Sequence, residues 1–327
     1  ATSVSDSLIQ VVAGVASVRA AVGDVVVTSV TGSRVTFVNG WKYIVPGRVV
    51  SVTPNSGQVG TVVTISGSNL LGGGAELATV SLAGLELQGI DAQSNTEVVV
   101  TVDHGDAASG DVVLTADTGA VITAADEWTQ LELGAVSTVG PDGGQYGTRV
   151  TITGDRLLGG GSSVASITLA GVSVGSDRVL EESDSLIVVA SEASPEATGA
   201  GSVIIVSDSG SIVQRESMFS FTQQGAIGSV SPTSGQVGTL VTITGARLRG
   251  NGNVVTVVEL GGVEAEIQSE GNEQIIVRSV GAGGSVRQRR GDVSSSIRIV
   301  SDTGAEISLD DIWTTLEDGA IDVVSPS

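Results

Sequence analysis

Short runs of branched apolar residues alternate with polar positions along the whole chain. In one representative stretch the runs are Val62–Ile65, Thr79–Leu82, Val98–Val102, Val112–Ala116 and Val121–Thr123, divided by Gly, Asp, Asn or Ser. Period-two alternation of β-branched side chains predicts strands with one face buried. No apolar stripe at helical spacing stands out. Asp117-Thr118-Gly119, between two such runs, predicts a tight hairpin, because glycine tolerates positive φ and aspartate can bond its own turn backbone. Seven or so strands in about 90 residues predict a β-sandwich.

The pattern repeats. Pro54-Asn-Ser-Gly57-Gln-Val-Gly60-Thr61-Val-Val-Thr-Ile65-Ser-Gly67 returns as Pro141-Asp-Gly-Gly144-Gln-Tyr-Gly147-Thr148-Arg-Val-Thr-Ile152-Thr-Gly154. It returns again as Pro232-Thr-Ser-Gly235-Gln-Val-Gly238-Thr239-Leu-Val-Thr-Ile243-Thr-Gly245. The turn glycines Gly32, Gly119, Gly210 and Gly304 advance by 87, 91 and 94 residues, and nine residues after each stands an aromatic: Trp41, Trp128, Phe219 and Trp313. These four share one repeat position, which points to core or junction packing. A period of roughly 90 residues suits a tandem series of whole small domains.

The expected boundaries are a C-terminal half-domain at 1–47, complete domains at 48–133, 134–224 and 225–319, and the first strand of another copy at 320–327. The half-domain reading rests on Ser5–Ile9, which repeats Ser183–Ile187. Ser325-Pro326-Ser327 reads as the opening of a further copy. The chain is thus expected to be a window onto a longer array. At the junctions, Trp128–Val136 and Trp313–Ile321 contain no Pro/Ser spacer. Such short connections predict a stiff rod of like domains.

The motif Pro-x-x-Gly-x-x-Gly-Thr-x-Val-Thr-Ile-x-Gly-x-x-Leu, at Pro54–Leu70, Pro141–Leu157 and Pro232–Leu248, resembles the IPT/TIG family. That family comprises the immunoglobulin-like domains of plexins and some transcription factors. The resemblance implies an all-β, early-set immunoglobulin-like sandwich, and interaction rather than catalysis. Independently of the family, a proline can end an edge strand at little cost. The glycines permit a sharp crossing into the Val-Thr-Ile strand, and Leu70, Leu157 and Leu248 are expected to close each core.

Composition narrows the function. The chain has 327 residues, 36 acidic against 15 basic, and a formal charge of −21. Lys42 is its single lysine. Phosphate contacts need clustered Lys and Arg, so nucleic acid is not an expected partner. The absence of cysteine removes disulfides and thiolate chemistry. No run of 18 apolar residues is present to cross a membrane, and Ala1 opens no secretory leader.

Candidate chemistry is sparse. Gly171-Val172-Ser173-Val174-Gly175 matches a nucleophile elbow in letters, but the sibling positions hold Glu86 and Glu264, and the only histidine is His104. Asp103-His104-Gly105-Asp106 is a weak metal set that no sibling loop repeats. The glycine runs Leu71–Gly74, Leu158–Gly161 and Arg249–Gly252 lack the Lys-Ser/Thr of a phosphate loop and read as strand connections. No catalytic, cofactor or metal residue is therefore assigned. Calcium between domains stays open through Glu132, Glu317 and Asp318. Arg287, Arg289 and Arg290 form the one basic cluster, and Arg290-Gly291-Asp292 spells a tripeptide that integrins recognise. This loop is the candidate interaction site, suited to an acidic neighbouring strand. No asparagine lies in an Asn-x-Ser/Thr site, whereas the many Ser and Thr leave O-glycans open.

The expected function is structural: a repeat segment of a very long extracellular or ciliary-surface protein that forms or bears a filament. Its partners would be copies of itself or other filament components. The alternative is the ligand-binding ectodomain of an adhesion receptor.

Overall fold

A computed structural model describes residues 3–14, 21–194, 196–280 and 295–316. It is almost wholly β; a 3-10 turn at Ser176–Arg178 is the only helical piece among the described residues. No helix among them is long and apolar enough to cross a membrane. By contacts the chain divides into two compact units, residues 1–56 with 62–130, and residues 57–61 with 131–327.

The sandwich in the first unit shows how the sequence builds each domain. One sheet orders its strands Ala92–Gln93, Glu97–Thr101, Val62–Ser68 and Arg48–Thr53. The facing sheet orders Ser56–Gly57, Val121–Gln130, Ala108–Ala116, Leu77–Leu82 and Leu85–Glu86. Val63 pairs with Val100 and Ile65 with Val98, and all four are buried while Val62 faces out. The register follows from this alternation, since a one-residue slip would turn every one of these side chains outward. Arg48–Thr53 is an edge strand, and Pro54 follows it.

The second unit holds two more sandwiches with the same four- and five-stranded sheet orders. Their central strands are Arg149–Asp155 and Leu240–Ala246. Each of the three has its own apolar core, which includes Ile65, Ile152 and Ile243 respectively. Leu70, Leu157 and Leu248 are buried in these cores. In the N-terminal part, Val22–Thr28 pairs with Arg34–Lys42 as a two-stranded hairpin, and Ser3–Val4 pairs with Ile9–Gln10.

The motif's second glycine lies at positive φ in every copy, +88° at Gly60, +85° at Gly147 and +87° at Gly238. A side chain there would be strained, which explains why glycine stands at that position. The last glycine has a different reason: a Cβ on Gly154 would collide with the Ala135 carbonyl and the Leu157 side chain.

The aromatics of the repeat depend on a local device. Asn39, Asp126, Ser217 and Asp311 each adopt positive φ two residues before Trp41, Trp128, Phe219 and Trp313. The partner strand shifts register nearby, between Gly110 and Val112 in the first sandwich. This irregularity interrupts the alternation, which resumes in the same phase. Trp128, Phe219 and Trp313 then fall inside and are fully buried. Trp41 is 48% exposed and meets Tyr43 edge-on, on a hairpin with no second sheet over it among the described residues.

Gly154→Ala tests the packing of the motif. The collision with a backbone carbonyl is expected to lower stability by about 1–3 kcal/mol, read from chemical denaturation. A change within experimental error would show that the strands can part freely at that point.

Candidate functional site at a domain junction

The two sandwiches of the second unit are joined by four residues, Thr222 to Gly225, between the strands Ile212–Phe221 and Ala226–Ser231. The loop after the strand Gly143–Gly144 packs into this connection. Its residues Gly144, Gln145, Gly147 and Thr148 are all buried. A bend at Gly147 lets Thr148 Oγ1 accept the Gln145 N–H at 3.1 Å, which fixes the start of the loop.

Gln145, only 1% exposed, uses both ends of its amide. Its Oε1 accepts the N–H of Gly225 at 2.7 Å, in the connection itself. Its Nε2 donates to the Glu306 carbonyl at 3.4 Å, in the next sandwich. Gln224 adds a second clasp, accepting from Tyr146 N at 3.2 Å and donating to the same Glu306 carbonyl at 3.1 Å. Two main-chain bonds cross the seam as well: Glu306 N to the Tyr146 carbonyl and Arg149 N to the Thr303 carbonyl, both 2.8 Å. Arg247 Nε holds the Gln224 carbonyl at 3.1 Å. A glycine is required opposite Gln145, because a Cβ on Gly250 would run into its amide.

The same set recurs elsewhere in this unit. Gln58, fully buried, accepts the Gly134 N–H at 2.5 Å and donates to the Ile212 carbonyl at 3.0 Å. Ile212 N donates to the Val59 carbonyl at 3.0 Å. Gly159 sits against the Gln58 amide as Gly250 does against Gln145. Arg156 holds the Glu132 and Leu133 carbonyls, as Arg247 holds Gln224. The glycine runs that read as strand connections thus also seat the glutamines.

A cleft of about 290 Å³ opens beside the seam, lined by Arg149, Arg178, Arg298 and Glu306 among others. Two of its three guanidinium groups are already committed. Arg178 donates to the Ala190 and Ser191 carbonyls and to Tyr146 Oη, and its Cζ lies 4.4 Å from the centroid of that ring. Arg298 grips Glu306 with two bonds, at 2.7 and 3.1 Å, and reaches Glu259 at 3.3 Å. These bonds hold the Glu306 carboxyl below its usual range against the opposing effect of burial. Arg249 lowers Glu270 in the same way. With Arg178 and Arg298 committed, the cleft works as a polar seam more than as an open receptor.

The other candidates fall elsewhere. Arg287, Arg289, Arg290, Gly291 and Asp292 lie outside the described residues, as do Glu317, Asp318 and the strand expected at 320–327. Glu132 pairs with Arg156 at 3.2 Å. Among the described residues no three His, Cys, Asp or Glu side chains gather as a metal site. Ser173 lies on the hairpin strand Val172–Val174, and its neighbour Gly171 turns back to the strand Val164–Leu169. Sequence reasoning missed the glutamines. The available signal was their unbroken recurrence before the second motif glycine, at a place where solvent exposure would tolerate any polar residue.

The comparisons bear on the family. The family model described as IPT/TIG domain matches residues 48–127 and 226–305. No curated protein matches. Among solved structures, the chain is similar to "Plexin A4 full extracellular region, domains 1 to 10", at 17% identity and a TM-score of 0.47, covering 82% of this chain and 24% of that one. A second plexin A4 extracellular structure gives 16% identity and a TM-score of 0.33, covering 83% and 34%. The I9-I11 tandem from titin gives 10% identity and a TM-score of 0.24, covering 81% and 96%. The chain spans about a quarter to a third of the plexin chains it matches.

Two measurements check the junction. Gln145→Ala strands the buried Gly225 N–H, so it is expected to cost about 1–3 kcal/mol in denaturant unfolding and to speed proteolysis near Thr222–Gly225. The guanidinium groups of Arg298 and Arg249 hold the folded-state pKa values of Glu306 and Glu270 below the ordinary carboxylate value. Their contribution is therefore complete above about pH 4.5 and disappears as pH falls through the lowered values. Thermal scans should show Arg298→Gln flattening that acid-side loss; an unchanged slope would remove Glu306 from the account.

Proposed function

From a chain whose residues 48–127 and 226–305 are IPT/TIG domains in tandem, we propose a structural function. It acts as a repeat segment of a long extracellular surface protein, a stiff spacer that forms or bears a filament. The observation carrying this reading is Gln145. A buried amide bonded at once to the connection and to the following domain turns a four-residue linker into a fixed joint. A joint of that kind suits transmission of force and spacing, and repeating it extends stiffness along the array. The surface charge of −21 suits a molecule kept soluble at high density in a salty medium.

Copies of the same array and other components of the surface assembly are the partners this reading assigns. It favours an extracellular position on the cell or on a cilium-like projection. The committed guanidinium groups in the junction cleft weigh against the alternative of a ligand-binding receptor ectodomain, at least at that cleft.

Electron microscopy of the native full-length protein tests the proposal. Ordered filaments, or straight projections with a repeat of one domain length, are the expected result. Isolated strings that bend at every domain would overturn it.

A further inference from the structure

In the second sandwich a strand near the entry and the strand at the exit run the same way. Gly143–Gly144 pairs in parallel with the end of Ile212–Phe221, Gly143 opposite Ser220 and Gly144 opposite Phe221. Ser220 N donates to the Asp142 carbonyl at 2.9 Å and Thr222 N to the Gly144 carbonyl at 2.8 Å. Three residues further along the exit, Gly225 N donates to Gln145 Oε1 at 2.7 Å. The amide is a third rung, which continues the ladder past the last strand and into the connection.

A side-chain rung resists a pull only if the residue bearing it cannot follow. Gln145 is anchored through its own main chain: its N–H donates to Thr148 Oγ1 at 3.1 Å, and its carbonyl accepts from Ser191 Oγ at 2.5 Å. Thr148 is seated in turn, because it fills the space a Cβ on Gly144 would need and its carbonyl accepts Ser191 N at 2.8 Å. Gly144, Gln145 and Thr148 of the motif therefore act together. The rungs recur in the preceding copy: Thr129 N to the Asn55 carbonyl at 3.0 Å, Leu131 N to the Gly57 carbonyl at 2.7 Å, then Gly134 N to Gln58 Oε1. Thr61 Oγ1 accepts Gln58 N at 3.1 Å, as Thr148 does for Gln145. In the third sandwich Thr314 N and Leu316 N bond the Thr233 and Gly235 carbonyls at 2.9 and 2.8 Å.

We propose that the array is built to be pulled along its length, and that Gln145 is a rung of the clamp that resists the pull. Tension enters the second sandwich ahead of the strand Ala135–Gly140 and leaves it through Thr222–Gly225. Between parallel strands these two ends move apart along the strand axis. The rungs are then strained together in shear and cannot be opened one at a time. Several bonds must break in one step, so the lifetime under tension follows the barrier to unfolding more than the equilibrium stability. An interaction lost before that barrier is crossed acts on the unfolding rate. This inference rests on the structural reading above and deepens it: a spacer needs fixed joints, whereas a spacer under tension also needs domains that do not unravel from their ends.

Single-molecule pulling of the full chain between its two ends, at constant tension, tests it by the lifetimes of unfolding steps one domain long. Gln145→Ala should shorten the lifetime of one step about tenfold, and Gln58→Ala combined with it should shorten two. Val203→Ala supplies the comparison, since Val203 is fully buried in the same core, on the strand Gly201–Ser207. For each unit of stability lost in chemical denaturant, it should shorten the lifetime under tension several-fold less than Gln145→Ala does. Equal shortening by the two variants on that scale, or a lifetime that Gln145→Ala leaves unchanged, would overturn the proposal. If native filaments are nonetheless seen by microscopy, the structural reading survives and only the clamp is lost; if native molecules are bending strings, that reading fails whatever the pulling shows.

Discussion

A buried amide must find partners for both its ends, and that requirement holds the junction together. Gln145 has no water to fall back on, so its geometry is dictated by the Gly225 N–H and the Glu306 carbonyl. A linker of four residues could still swing if its backbone groups were solvated. Here they are satisfied by the domain behind and the domain ahead, together with Gln224 and Arg247. Polar burial, which contributes little to net stability, is used to specify one relative placement of two sandwiches within the second unit.

The glycines belong to the same logic. Gly147 turns the loop at positive φ so that Tyr146 can offer its carbonyl outward, and Gly250 leaves the space that Gln145 occupies. Arg298 is matched there by Glu306 and Glu259. Each sandwich keeps its own apolar core, so the domains hold together apolarly and meet one another through polar contacts.

Most of the fold was legible in the chain because strands half-buried in a sandwich alternate at period two, and Val63, Ile65, Val98 and Val100 do so cleanly. The strand Val121–Gln130 was read only as far as Thr123. Past that point the alternation is interrupted around Asp126, at positive φ, and resumes in the same phase only at Trp128. The shared aromatic position was visible, but whether its occupant is buried depends on a facing sheet, and Trp41 has none among the described residues. The junction glutamines recur visibly, yet their burial was not legible, for a different reason. A buried polar residue carries no hydrophobic signature, and inside a Gly-rich loop Gln58 and Gln145 look like surface residues.

The central claim is that the joint between the second and third sandwiches is fixed and not hinged. Because the chain has no cysteine, Ser173→Cys and Glu273→Cys can carry one spin label on each sandwich, and their distance distribution can be measured by electron–electron resonance in frozen solution. A single narrow distribution, broadened when Gln145 is replaced by Ala, is the predicted result. A broad distribution in the otherwise unaltered protein, or one that ignores the loss of Gln145, would contradict the account.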